Sequence, residues 1–133
     1  MTQQLKADQV MTARVVPPAL DRELALSRVG GDLQLLQEIA QLFLEDSARM
    51  LSEIRSAVQE RHAQHLDRSA HTLKGCVSSF GAQRLYEAAL TMERMGRGGD
   101  LSNVDVSFRL LESEIHRLEA DLQALVAESS PTT

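Results

Sequence analysis

Apolar residues recur at helical spacing along four long stretches of this chain, and no stretch alternates as a half-buried strand does. The last stretch is the clearest. Val104, Phe108, Leu111, Ile115, Leu118, Leu122 and Leu125 repeat in alternating steps of four and three. Such a seam packs one helix edge along a bundle or a coiled coil, and about three heptads is short for a coiled coil standing alone. A second stripe starts at Leu33 and runs through Leu36, Ile39, Ala40, Phe43, Met50, Leu51, Ile54 and Val58, which is about seven turns of helix. Ser47 lies midway and is read as a slight bend. The third covers residues 62–80, with Leu66, Ala70, Leu73, Val77 and Phe80 on one side. The fourth covers residues 82–95, with Leu85, Ala88, Ala89 and Met92.

The punctuation between these stripes has its own chemistry. Pro17-Pro18 stops any earlier helix. A short helix then spans residues 20–29, with Leu20, Leu24 and Val29 facing inward. Gly30-Gly31 ends it, and Asp32 is a good N-cap for the long helix that follows. Gly81 closes the third stripe, and Gly96-Arg97-Gly98-Gly99-Asp100 reads as a break after the fourth. Ser102 with Asp105 three residues on resembles a capping box, which starts the last helix near Ser102. The expected fold is all-α: an antiparallel up-down four-helix bundle with a short additional N-terminal helix. Residues 1–16 read as a flexible tail or linker, 17–127 as the folded domain and 128–133 as a disordered tail.

With 133 residues the chain suits one compact domain. Its formal charge of -5, without a long basic run, argues against nucleic acid as a main ligand. Aromatics at 3% and no Trp leave no base-stacking platform. Cys76 is the single cysteine, so there is no internal disulfide and no multi-Cys zinc site. It falls at the edge of the core stripe and reads as a small packing residue. No run is long enough to cross a membrane, and Lys6, Asp8 and Arg14 interrupt any signal-peptide core, so a cytoplasmic location is expected. No Gly-rich phosphate loop of the nucleotide-binding kinds is present. A metal-carboxylate bundle needs Glu three residues before His, and none of His62, His65, His71 or His116 has one. No metal site is expected. No Ser/His/Asp or Cys/His arrangement of a conventional enzyme is legible.

His71 stands apart. With Leu66 at zero on a helical wheel, the core stripe stays within roughly 40°, and His71 lies roughly 140° away. It therefore faces solvent, beside Gln64, Asp67, Lys74, Gly75 and Ser78. An exposed imidazole has an unperturbed pKa of about 6.5 and is an available nucleophile near neutrality. Lys74, one turn on, can offer charge to a phosphoryl group. Gly75 lies beside His71 on the helix surface, although Gly in a helix costs about 1 kcal/mol relative to Ala. One reason to keep it is to let a partner approach closely. Each feature alone has an ordinary reading: a polar surface His, a solvated Lys, a Gly that accommodates packing.

Together they form a motif. Ala70-His71-Thr72-Leu73-Lys74-Gly75-Cys76, continuing to Phe80-Gly81-Ala82, resembles the signature of histidine-phosphotransfer (HPt) domains. Val29-Gly30-Gly31-Asp32 with Leu35-Leu36, Phe43-Leu44-Glu45-Asp46, and Gly98-Gly99-Asp100-Leu101 are similar to other parts of that family, so the likeness covers residues 20–127. The resemblance implies that His71 is the phosphoacceptor, through Nε2. It implies that the phosphoryl group arrives from a receiver-domain aspartate or from a kinase domain, and leaves to another receiver. The partners are then a response-regulator receiver domain and a sensor or hybrid histidine kinase. The protein itself is a phosphocarrier without an ATP-binding or kinase domain, and a monomer. No cofactor is expected on this chain, because the receiver supplies the acidic pocket and the Mg²⁺. By the same resemblance Lys74 helps stabilise charge at the phosphoryl group, Gly75 opens the docking surface, and Ser78 is permissive there. Glu93 matches the position from which the next helix hydrogen-bonds His Nδ1. The wheel puts it roughly 80° off its stripe, at the border of the packed face, where a salt bridge or a solvated Glu is the ordinary alternative. A plain interaction bundle that docks a receiver without taking phosphate is the other reading, and the presence of His71 argues against it.

Overall fold

A computed structural model of the chain describes residues 18–128. The expected N-terminal tail lies outside them, as does all of the expected C-terminal tail except Glu128. The described residues form α1 (Arg22–Arg28), α2 (Leu33–Gln59), α3 (Ala63–Val77) with a following 3-10 turn (Ser78–Phe80), α4 (Gln83–Gly98) and α5 (Val104–Val126). Each of α2 to α5 packs on the next, and α5 returns to pack on α2. Loops of a few residues only allow reversal, so the four long helices make an up-down antiparallel ring. The all-α bundle with one short leading helix is the fold that periodicity predicts.

The core is the set of stripes turned inward. Leu36 and Ile54 of α2, Leu66 and Leu73 of α3, Leu85 and Met92 of α4, and Leu111, Leu118 and Leu122 of α5 are all buried. Phe43 and Phe80 meet edge-on, with centroids 5.6 Å apart. Side chains cap the starts of α1 to α3: Asp21 accepts from the Leu24 N–H, Asp32 from the Leu35 N–H, and His62 Nδ1 from the His65 N–H. The His62 side chain thus has a structural use in starting α3.

In the short helix and its flanks Leu20 and Val29 pack against the core as expected, and Leu24 does not. Ala25 is the buried residue of the helix, whereas Leu24 is 38% exposed. The Asp21 N–H donates to the Phe80 carbonyl at 3.0 Å, which brings α1 down onto the 3-10 turn. The small side chain of Ala25 suits that close approach. Gly81 sits beneath it at φ 60°, and a Cβ there would stand 2.8 Å from Cβ of Asp21. The far side is tied as well: the Leu20 N–H donates to Asp121, and Arg22 pairs with Glu128 at 2.5 Å.

Three further expectations are corrected, and Ser47 gains a contact. The Gly-rich run after α4 is not a break at Gly96, because the helix continues through Gly98 and ends at Gly99 with φ 80°. Gly96 is buried where α4 crosses α3, and a Cβ on it would meet Asp67 N at 2.5 Å and Ala63 O at 2.6 Å. The glycine serves helix contact, which a local reading of chain flexibility cannot see. Ser102 and Asp105 form no capping box. Asp100 takes both the N–H and the hydroxyl of Ser102, α5 begins at Val104, and Asp105 pairs with Arg61 at 2.8 Å. Cys76 is exposed rather than packed at the core edge. Ser47 is buried, and its hydroxyl donates to Glu119 of α5 at 2.5 Å, so it joins helices.

Candidate functional site

The site lies where α3 and α4 run side by side. The His71 side chain is 66% exposed, while Glu93, opposite it on α4, is 2% exposed. His71 Nδ1 and Glu93 Oε2 are 2.7 Å apart. Glu93 is deeper than the border position that the wheel gives it, because α3 and α4 approach closely and cover it.

A buried carboxylate left alone would be costly. Glu93 is surrounded by cations instead. Lys74 Nζ stands 2.8 Å from Oε1, close enough for an ion pair but outside hydrogen-bond geometry. Arg97 donates to Oε2 at 3.0 Å and to Asp67 of α3 at 3.3 Å. Lys74 holds the Glu93 carboxyl below the usual carboxylate range, with further help from His71, against burial that acts in the opposite direction. An ionised carboxylate can only accept hydrogen bonds. In a neutral His71 ring the bond therefore requires hydrogen on Nδ1 and leaves the lone pair on Nε2.

Lys74 is less free than a surface lysine. Its side chain is largely covered, its ammonium faces Glu93, and it lies 5.8 Å from the centre of the Tyr86 ring. Gly75 is helical, and an ideal Cβ there would have no heavy atom within 4 Å. The ordinary reading of this glycine, accommodation of internal packing, therefore fails. Ser78 is exposed, but its hydroxyl donates back to the Gly75 carbonyl at 2.9 Å. The structure thus brings His71, Lys74 and Glu93 into contact, with Gly75 beside them, and turns the Ser78 hydroxyl toward its own helix.

Two features escaped the sequence reading. Arg97 was hidden by the assumed break after α4, although Glu93 and Arg97 have the four-residue spacing of a helical ion pair. A mostly apolar hollow of about 260 Å³ lies between α2 and the end of α3, lined by Ile39, Leu42, Phe43, Met50, Cys76 and Phe80 with Asp46 and Ser79. Leu42 at its edge is 66% exposed. Among the described residues, no three His, Cys, Asp or Glu side chains gather as a metal-binding group. No described helix is long and apolar enough to cross a membrane.

Comparison with known proteins adds two findings. The family model of the Hpt domain matches residues 38–128. Among solved structures, the chain is similar to histidine-containing phosphotransfer protein B (HptB) from Pseudomonas aeruginosa. The TM-score is 0.78 at 23% sequence identity, covering 86% of this chain and 100% of that one. At this identity the likeness speaks for the fold. A search of curated proteins finds no match.

Proposed function

The chain belongs to the Hpt domain family, the histidine phosphotransfer modules of two-component phosphorelays, and within that role we propose that His71 is the residue that carries the phosphoryl group. The observation that carries this reading is the 2.7 Å pairing of exposed His71 with buried Glu93. It commits Nδ1 to the protein and presents Nε2 to a partner.

Nε2 attacks the phosphorus of an aspartyl phosphate on a receiver domain. An N–P bond forms, the acyl P–O bond breaks, and the aspartate leaves as a carboxylate. The ring now bears positive charge, which the Glu93 carboxylate stabilises through the Nδ1 hydrogen. Lys74 offsets charge on the phosphoryl oxygens, with its ammonium already within reach of the ring's partner. Transfer onward reverses these steps with a second receiver.

The same reading assigns the remaining roles. Gly75 keeps the surface low beside Nε2, and the exposed backbone near Ser78 borders the contact. Ile39 and Leu42 supply an apolar flank of the kind that marks docking sites. The partners are a response-regulator receiver domain and a sensor or hybrid histidine kinase, met in the cytoplasm by a monomer that binds no nucleic acid. ATP is used by the kinase and Mg²⁺ is held by the receiver, and no cofactor is assigned to this chain.

The test mixes the protein with receiver domain charged by acetyl phosphate and follows acid-labile phosphate. Wild type takes the label and His71→Gln takes none. Equal labelling of the two would move the acceptor to another residue.

A further inference from the structure

The cations of this protein are unevenly satisfied. Arg22, Arg49, Arg55, Arg61 and Arg84 each hold a carboxylate within 3.1 Å. Lys74 and Arg97 are occupied by Glu93. Among the described residues no carboxylate pairs with the exposed Arg94 and Arg109, nor with two further exposed arginines, Arg28 and Arg68. Both belong to the His71 face. Arg68 lies one turn before His71 on α3, and residues three apart are neighbours on a helix surface. Arg28 reaches across from α1 and donates to the carbonyl of Ser78, two turns beyond His71. That bond seats its guanidinium on the same face.

We propose that Arg28 and Arg68 form a two-point charge clamp that brackets His71 and receives carboxylates on the docking surface of the partner receiver. This deepens the proposed function and rests on it. The two anchors straddle the nucleophile along the axis of α3, with about 15 Å between residues 68 and 78. A partner must therefore meet both if it is centred on His71. The chain carries a net charge of -5, so an acidic partner would be repelled by the molecule as a whole. Two guanidiniums without a carboxylate partner, on the face that carries the reacting ring, offset that repulsion where contact is needed. Charge of this kind acts on encounter and orientation more than on chemistry. Arg28 and Arg68 are therefore positioning residues, and α1 gains a use as the carrier of one of them.

The experiment uses the whole protein and the purified receiver domains of the source organism, each charged with acetyl phosphate. The receiver that transfers fastest is taken as the probe. With Arg28→Glu/Arg68→Glu, the KM for that receiver should rise roughly tenfold while kcat holds, and its dependence on salt should flatten. Arg109→Glu makes a charge reversal on α5, which lies diagonally across the bundle from α3, and should leave KM at the wild-type value. The neutral pair Arg28→Gln/Arg68→Gln should fall between. A wild-type KM in the double reversal overturns the clamp, and so does a fall in kcat at unchanged KM, which would place these residues in the chemistry of His71. Phosphoramidate, a phosphoryl donor too small to need docking, separates the two levels. If it labels wild-type His71 while the reversal leaves KM unchanged, only the clamp is lost. If it fails to label, the carrier reading falls and the clamp falls with it.

Discussion

At His71 one ring nitrogen is committed to the protein and the other is open, and Glu93 is what makes the difference. Its carboxyl is held below the usual carboxylate range, first by Lys74. An unfolded Glu titrates at about 4.3, so the stabilisation from ionised Glu93 is fully present above that value and is lost as pH falls through the lower folded value. Urea unfolding should show Glu93→Gln less stable than wild type at neutral pH, with the gap closing as pH drops below about 4.3. A gap that stays constant would mean that the pairing, and not the charge, is what matters. The exposure of His71 was legible from its angle on the wheel, because a stripe of five core residues fixes the opposite face. The depth of Glu93 and the presence of Arg97 were not. The depth depends on how closely a second helix approaches, a distance that no single-helix pattern contains, and Arg97 was hidden by the break assumed after α4.

At the scale of the element, two helical glycines with the same local cost do opposite things. Gly75 faces open space, and Ala there should raise unfolding stability by about 1 kcal/mol. If the glycine serves a partner, the same substitution should slow phosphoryl exchange with a receiver. Gly96 faces the backbone of α3, so Ala there should destabilise by about 1–3 kcal/mol in spite of its better helix propensity. Urea melts of the two variants would separate these cases directly. The sequence marks both as glycines near a helix end or a motif, and nothing local distinguishes them. The start of α5 was misplaced for a related reason. Ser102 and Asp105 have capping spacing, but Asp100 and Arg61 compete for them and win. Asp32, with no such competitor, caps α2 as its position suggests.

Across the whole molecule the four stripes close on one core, and this was the most legible level. Burial of an entire helix edge depends only on the period, which a sequence displays openly. Leu118 lies fully buried in the centre of α5, and Leu118→Ala should cost about 2–5 kcal/mol, seen as a lower urea midpoint at an unchanged slope. A drop in slope as well would show that the bundle no longer unfolds as one unit. The short α1 was the least legible part of this level. Two turns carry too few positions to define a face, and its buried side is set by Phe80, Gly81 and Asp121 from distant parts of the chain.

The contact at Gly96 lies one turn from the His71–Glu93 pairing on both helices: Asp67 precedes His71 by four residues, and Gly96 follows Glu93 by three. Backbone pressed against backbone cannot slide, whereas side chains can give way. The crossing therefore works as a locating pin beside a fine adjustment. An α-helix advances about 1.5 Å per residue, so a slip of less than one residue would part the imidazole from its carboxylate. In this protein the accuracy of a two-atom alignment is guaranteed by the place where no side chain exists at all.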